Sequence, residues 1–486
     1  MIYSLLKSIE ISGDNLSDKE ICWMSALELT EAISRGELSP VDVLDAVLER
    51  VKHYNPEINA IVTLTEKSAR ESAEKAEKMV KKGEKLGPLH GVPATIKDTV
   101  FTKGVRTTFG SKMYENFIPD EDAVLVERLK KAGAVIIGKT NVPEFALIPV
   151  TDNLVFGPTR NPWDKSKTSG GSSGGAAAAV AAGMGPLASG SDGGGSIRIP
   201  SSLCGVYGIK PSFGRIPIHP RPLVYVTTDC LGPIARTVSD AAVMLDVMAG
   251  PDDRDRFSLP ATDVSYLETL ENGIEGSRIA YSHDLGYAVV DPEVEQLTKK
   301  AAFSFEKLGC EVTEIKPDLF DMQYELITMV IAETITANEE HLEEWKEKTY
   351  PLYQGYLQLE ETFSVRDIVR VQYKREELWG KMRKIFEDYD FLLTPTTAVP
   401  AFELEEGTMG PTEIAGETVG PVGWIAFTYP FNFTGQPAAS VPCGFTRDRL
   451  PVGLQIVGNR YDDNGVLRAS RAFEKAFPWQ DKKPPL

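Results

Sequence analysis

Apolar and polar positions change their period several times along the chain, and the changes mark out its organisation. Over residues 1–85 the pattern is helical. Ser39-Pro40 reads as an N-cap with proline at the first helical position, and VDVLDAVLERVKHY behind it carries apolar residues at helical spacing. Residues 66–85 predict a second, charged helix with a solvated face. From Gly87 the texture changes. VPATIKD reads as a buried strand, EDAVLVERLKKAG as an amphipathic helix closed by glycine, AVIIGKT as a strand, and GPLASGSD as a short strand entering a glycine-rich turn. This alternation predicts an α/β fold with a mostly parallel sheet covered on both faces. Between 255 and 390 glycine thins out and acidic helices dominate, which reads as a cap or insertion. Within it SRIAYS and the helix DPEVEQLTKKAAFSFEKLG running into CEVTEIKP keep αβ character, and ETITANEEHLEEWKEK predicts a peripheral helix. From 391 sheet texture returns in DFLLTPT, AASVPCGF and LPVGLQIVG, and residues 463–477 predict a closing helix.

Charge and cysteines narrow the class. A formal charge of −18 repels phosphate backbones, so no nucleic acid partner is expected. Five cysteines at 22, 204, 230, 310 and 443 show no CxxC and no histidine pairing. That argues against a disulfide framework or zinc site and fits a reducing, cytoplasmic setting. The first residues lack a secretory cleavage pattern, and no run of about 18 apolar residues predicts a membrane span.

The densest chemical signal is residues 168–215, TSGGSSGGAAAAVAAGMGPLASGSDGGGSIRIPSSLCGVYGIKPSFGR. Glycine lets backbone approach a ligand, and three glycines precede Ser196. Their amides could converge on one oxygen, as acyl transfer requires.

GGSSGG, then GSDxGGSIRxP, then GxKPSxGR resembles the amidase signature family. GPLHGVPATIKD at 87–98, FGPTRNPWD at 156–164 and the C-terminal strands support the resemblance, which extends from about 25 to 475 and is weakest over 255–390. It implies one domain over 1–486: a helical region 1–85, a signature core 86–254, a variable helical cap 255–390 and the rest of the core sheet 391–486. The implied fold is a single α/β/α unit with a mixed central sheet. The resemblance gives roles residue by residue. Ser196 resembles the nucleophile, Ser172 the bridging serine after a cis peptide bond, and Lys97 the general base. The N–H groups of Gly193, Gly194, Gly195 and Ser196 would form the oxyanion hole.

The chemistry is consistent with this set. A serine hydroxyl needs an adjacent base, and no histidine is placed to serve. An ordinary lysine, with a pKa of about 10.4, is protonated at neutral pH. Burial disfavours the ammonium, and Lys97 follows the apolar run VPATI. Asp98, its neighbour on a strand, should face the other way. Asp192 and Arg198 read as pins for the loop, His90 as structural, and Cys204 and Cys443 as small core residues. GAVIIGKT at 133–140 matches the P-loop pattern, but its middle is itself a strand. GGSSG at 170–174 matches the nucleophile elbow, but no later acid and histidine stand in a recognisable setting.

Departures from the family point to the substrate. Glutamine-specific members carry an aspartate where this chain has Ile425. Most relatives have Gly-Ser-Ser-Thr where this chain has Ile148-Pro149-Val150-Thr151. With Trp424, Phe427, Tyr429, Phe431 and Phe433, these suggest an apolar acyl or aryl pocket. Ser169 replaces a frequent proline. Gly193 stands where a side chain is usual, which would loosen the oxyanion loop. The expected activity is hydrolysis of small hydrophobic or aryl amides, with spill-over to esters and carbamates. No metal or cofactor is implied, and the ligand is a small-molecule amide. A homodimer is compatible with the sequence. Two alternatives stay open: the ammonia-generating subunit of a tRNA-dependent amidotransferase, and a binding protein that kept the fold without the chemistry.

Overall fold

The computed structural model describes residues 17–221, 224–360, 362–405 and 407–486. The helical reading of residues 1–16 lies outside them. Eleven strands form one sheet: β1 (Ile61–Leu64), β2 (Pro93–Lys97), β3 (Val135–Thr140), β4 (Leu187–Asp192), β5 (Tyr207–Lys210), β6 (Cys230–Ala235), β7 (Arg278–Tyr281), β8 (Glu311–Glu314), β9 (Phe391–Pro395), β10 (Ala438–Phe445) and β11 (Pro451–Gly458). Their order is β1-β3-β2-β4-β6-β5-β10-β11-β9-β7-β8. Every residue of β2, β3, β4, β5, β6, β9 and β11 is buried, as expected of strands covered on both faces.

The sheet is mixed, which corrects the mostly parallel expectation and agrees with the arrangement the family resemblance implies. β2 pairs in parallel with β3 and β4, and β7 with β8 and β9. The middle is antiparallel. β4 and β5 share one direction, but β6 is inserted between them and runs against both. The chain thus reverses direction between β5 and β6. β10 and β11 then form a hairpin that binds β5 on one side and β9 on the other.

Helix α1 (Pro40–Ile58) begins as predicted, with the Ser39 hydroxyl accepting from Val41 N–H. α2 (Glu66–Lys81) buries the stripe Ala69, Ala73 and Ala76 and turns its charges outward, ending at Lys81 rather than at 85. The region is not wholly helical, because Ile61–Leu64 pairs with β3 at the sheet edge. α3 (Gly174–Ala181) is built only from glycine, alanine and valine because it is buried on every side. α4 (Arg198–Cys204) follows the loop after β4. In the 255–390 stretch β7 and β8 extend the sheet. The helices α5 (Gln323–Ala337) and α6 (Val365–Asp388) pack on one another and pair with a second apolar cluster. α7 (Asp463–Ala476) closes the chain on the β10–β11 hairpin. Among the described residues no helix is long and apolar enough to cross a membrane.

Candidate active site

Lys97 ends β2, at the C-terminal edge of three parallel strands, where open α/β sheets gather ligands. Its side chain is fully buried. Nζ lies 2.7 Å from Ser172 Oγ, 2.9 Å from Ser191 Oγ and 3.4 Å from the Ser191 carbonyl. The Gly171–Ser172 peptide bond is cis. Ser173 N–H donates to the Ser196 carbonyl at 3.1 Å, which ties the two glycine-rich loops together. Burial pulls the Lys97 pKa below the usual lysine range, against the opposing pull of Asp229 and Asp192. Burial also raises Asp229, partly offset by Lys97. A lysine that sheds its proton this readily can accept one from the Ser172 hydroxyl.

Asp98 does face away from this centre, accepting from Thr108 N–H and Oγ1. His90 is buried with Nε2 3.0 Å from the Ala76 carbonyl.

The loop 193–196 is held from behind. Asp192 and Arg198 are both fully buried and meet at 2.8 Å. Asp192 also accepts from Gly195 N–H at 2.7 Å, Ile197 N–H at 3.1 Å and Asn432 Nδ2 at 2.8 Å. Burial would raise the Asp192 pKa, but the Arg198 guanidinium, Lys210 and Asn432 outweigh it and hold the carboxyl at about 2. This geometry separates the four amides of the expected oxyanion set. The Gly195 amide is spent on Asp192, whereas the N–H groups of Gly193, Gly194 and Ser196 find no acceptor among the described residues. Of the four amides expected to face the site, these three remain unengaged there. At Gly193 the Tyr225 ring fills the place a side chain would take.

Two cavities meet at Ser196. The larger, about 270 Å³, has Ser172, Ser191, Gly193 and Asp229 in its lining and a wall of Phe101, Phe109, Tyr114, Phe117 and Phe145. These rings contact one another largely edge to face. The smaller, about 50 Å³, is lined by Gly194, Ile148, Pro149, Leu326, Val330 and Ile425.

Of the pocket residues predicted from sequence, only Ile148 and Pro149 line a cavity. Val150 and Thr151 are buried beneath the Ser172 loop, where Thr151 N–H donates to the Gly170 carbonyl and Thr151 Oγ1 accepts from Gly174 N–H. Trp424 donates from Nε1 to the Met409 carbonyl at 2.7 Å and packs edge-on against Phe402. Phe427 is fully buried, its carbonyl accepting from Gln455. Core and pocket aromatics look alike in sequence, and these belong to the core. The residues missed are Ser191, Asp229, Tyr225 and the phenylalanines of the large cavity. Ser191 left a trace: Ser189 and Ser191 stand two apart on β4 and both meet Lys97, Ser189 Oγ accepting its N–H. The others come together only in three dimensions.

Comparison with known proteins gives the chain a family. The family model for Amidase matches residues 42–467. An acylamidase of Rhodococcus erythropolis is 40% identical, over 96% of this chain and 98% of its own length. A glutamyl-tRNA(Gln) amidotransferase subunit of Geobacillus stearothermophilus is 37% identical, over 95% of this chain and 99% of its own. The crystal structure of a bacterial aryl acylamidase, one of the amidase signature enzymes, superposes with a TM-score of 0.89 at 34% identity, over 94% of this chain and 97% of that one. With a family model spanning most of its length and relatives matched from end to end, the chain belongs to the amidase family.

Proposed function

We propose that the chain hydrolyses small carboxylic amides through an acyl-enzyme on Ser196, with anilides of short acids as preferred substrates. The observation that carries this is the wholly buried Lys97 Nζ, 2.7 Å from Ser172 Oγ. Neutral Lys97 takes the Ser172 proton as Ser172 takes that of Ser196. Ser196 Oγ attacks the carbonyl carbon, and the oxyanion meets the amides of Gly193, Gly194 and Ser196. The Lys97 ammonium returns its proton through Ser172 to the leaving nitrogen, and the C–N bond breaks. Water then releases the acid by the same relay.

Ser172 lines the large cavity and not the small one. The leaving nitrogen must be reached from Ser172, so the amine side occupies the large aromatic cavity and the acyl side the small one. An apolar cavity of about 150 Å³ holds benzene, so one of about 270 Å³ accepts a substituted ring. The small cavity, at about 50 Å³, suits a short acyl group. The similarity to an acylamidase and to an aryl acylamidase supports this reading. Against a glutamine substrate stands Ile425, which lines the small cavity among Ile148, Val422 and Val330 and offers no charge to an α-ammonium. The five cysteines are free thiols, in keeping with action in the cytoplasm.

The test is amine release from 4-nitroacetanilide by the wild type and Ser196→Ala. Turnover by the wild type that vanishes in the variant is expected. Turnover on glutamine comparable to that on the anilide would overturn the apolar-substrate reading.

A further inference from the structure

Tyr225 lines both cavities, one on each side of Ser196. Its ring stands against the oxyanion loop: a Cβ placed at residue 193 would lie 2.5 Å from its Cγ and 2.7 Å from Cδ1. The absence of a side chain at Gly193 is therefore matched to this ring. We infer that Tyr225 is the specificity-determining partition of the site, which caps the small cavity and limits the acyl chain, and that Gly193 is the residue that makes room for it.

The ring is placed by more than packing. Tyr225 has φ +58°, a left-handed conformation uncommon for an aromatic residue, and such outliers persist where the surroundings fix them. Its carbonyl accepts from Thr228 and Asp229 N–H. Its hydroxyl donates to the Leu147 carbonyl at 3.3 Å, beside Ile148 of the small cavity. The following residues are clamped by the cap helices. Glu333 on α5 accepts from Val226 N–H at 3.2 Å, and Arg375 on α6 donates to Thr227 Oγ1 at 3.2 Å and to its carbonyl at 3.1 Å. The cap thus fixes the wall between the two halves of the substrate.

With the ring removed, the small cavity opens toward the large one and the acyl side gains room. Pocket contacts of one methylene discriminate by roughly 10- to 200-fold. The change should therefore be large.

This inference rests on the anilide reading, and its test separates the two. The kcat/KM for 4-nitroanilides of acetic, butyric, hexanoic and octanoic acids is measured for the wild type, Tyr225→Ala, Tyr225→Leu, Gly193→Ala and the double variant Gly193→Ala/Tyr225→Ala. In parallel, the rate at which fluorophosphonates of increasing alkyl length label Ser196 reads the same partition without turnover. The wild type should favour the short acyl groups. Tyr225→Ala should shift the octanoyl-to-acetyl ratio by more than about tenfold, with Tyr225→Leu between. Gly193→Ala should lose most activity and labelling, and removing the Tyr225 ring should restore much of it. If no anilide is turned over but the labelling profile shifts as described, the substrate reading fails and the partition stands. A chain-length profile unchanged in Tyr225→Ala would overturn the inference, as would a Gly193→Ala defect that persists in the double variant.

Discussion

Lys97 and Lys139 stand on the neighbouring parallel strands β2 and β3, one residue out of register, since Lys139 pairs with Ile96 and Lys97 with Thr140, and both are fully buried. Burial lowers the pKa of each, that of Lys139 to about 8 against the pull of Asp98. They differ in what surrounds Nζ. Lys139 donates to the Val100 carbonyl, to Thr107 Oγ1 at 2.9 Å and to Thr102 Oγ1 at 3.2 Å, so its hydrogens are taken by structural oxygens. Lys97 meets the hydroxyls of Ser172 and Ser191, and Ser172 opens into the cavity beside Ser196. Burial can make a lysine a base, and in the proposed mechanism the Ser172 hydroxyl is what connects that base to Ser196.

Exchanging each lysine in turn sharpens the contrast. Lys97→Met should lower kcat/KM for the anilide by on the order of 10⁴ or more, measured by amine release, with little change in KM. Lys139→Met should leave the rate near that of the wild type. Equal losses in the two variants would break the contrast.

The second effect is a shift in pH dependence. Only neutral Lys97 can take the Ser172 proton, so activity rises as pH rises through its pKa and is lost below it. Because burial depresses that pKa, the acid limb should fall well below the ordinary lysine value of about 10.4. The Asp229 carboxylate favours the ammonium. Asp229→Asn should therefore move the limb to lower pH, and a shift upward would contradict the pairing.

The smallest effect is on stability. Lys139→Met takes the ammonium donor from Thr102 Oγ1 and Thr107 Oγ1, each at a cost of about 1–3 kcal/mol where no water replaces it, while the Val100 carbonyl keeps the Thr102 hydroxyl at 3.3 Å. A melting temperature lower by a few degrees is expected, and an unchanged one would mean that water fills the gap.

Much of the fold was legible where local rules decide it. The α1 cap, the alanine stripe of α2 and the apolar runs of β2 and β3 carry their own signals. The direction of β6 does not, because β6 inserts between two strands laid down earlier and runs against both. Ile61–Leu64 is too short to declare itself against the helices around it. At the site, motif spacing singled out Lys97, Ser172 and Ser196; the fold brings Lys97 to Ser172 and puts Ser172 and Ser196 on one cavity. The loss of the Gly195 amide to Asp192 needed the folded geometry, although Asp192 itself stands beside the loop in sequence. Trp424 and Phe427 show the opposite limit, since apolar side chains serve a core and a pocket equally well. The phenylalanines from 101 to 145 became a cavity wall only when the loops after β2 and β3 met.

The most direct test of Lys97 as the working base is the pH dependence of Ser196 labelling by a fluorophosphonate in the wild type, Asp229→Asn and Lys97→Met. The wild type should show a sigmoidal rise centred well below the lysine value of about 10.4, displaced to lower pH in Asp229→Asn and absent in Lys97→Met. A rise that persists unchanged in Lys97→Met would show that another group activates Ser196.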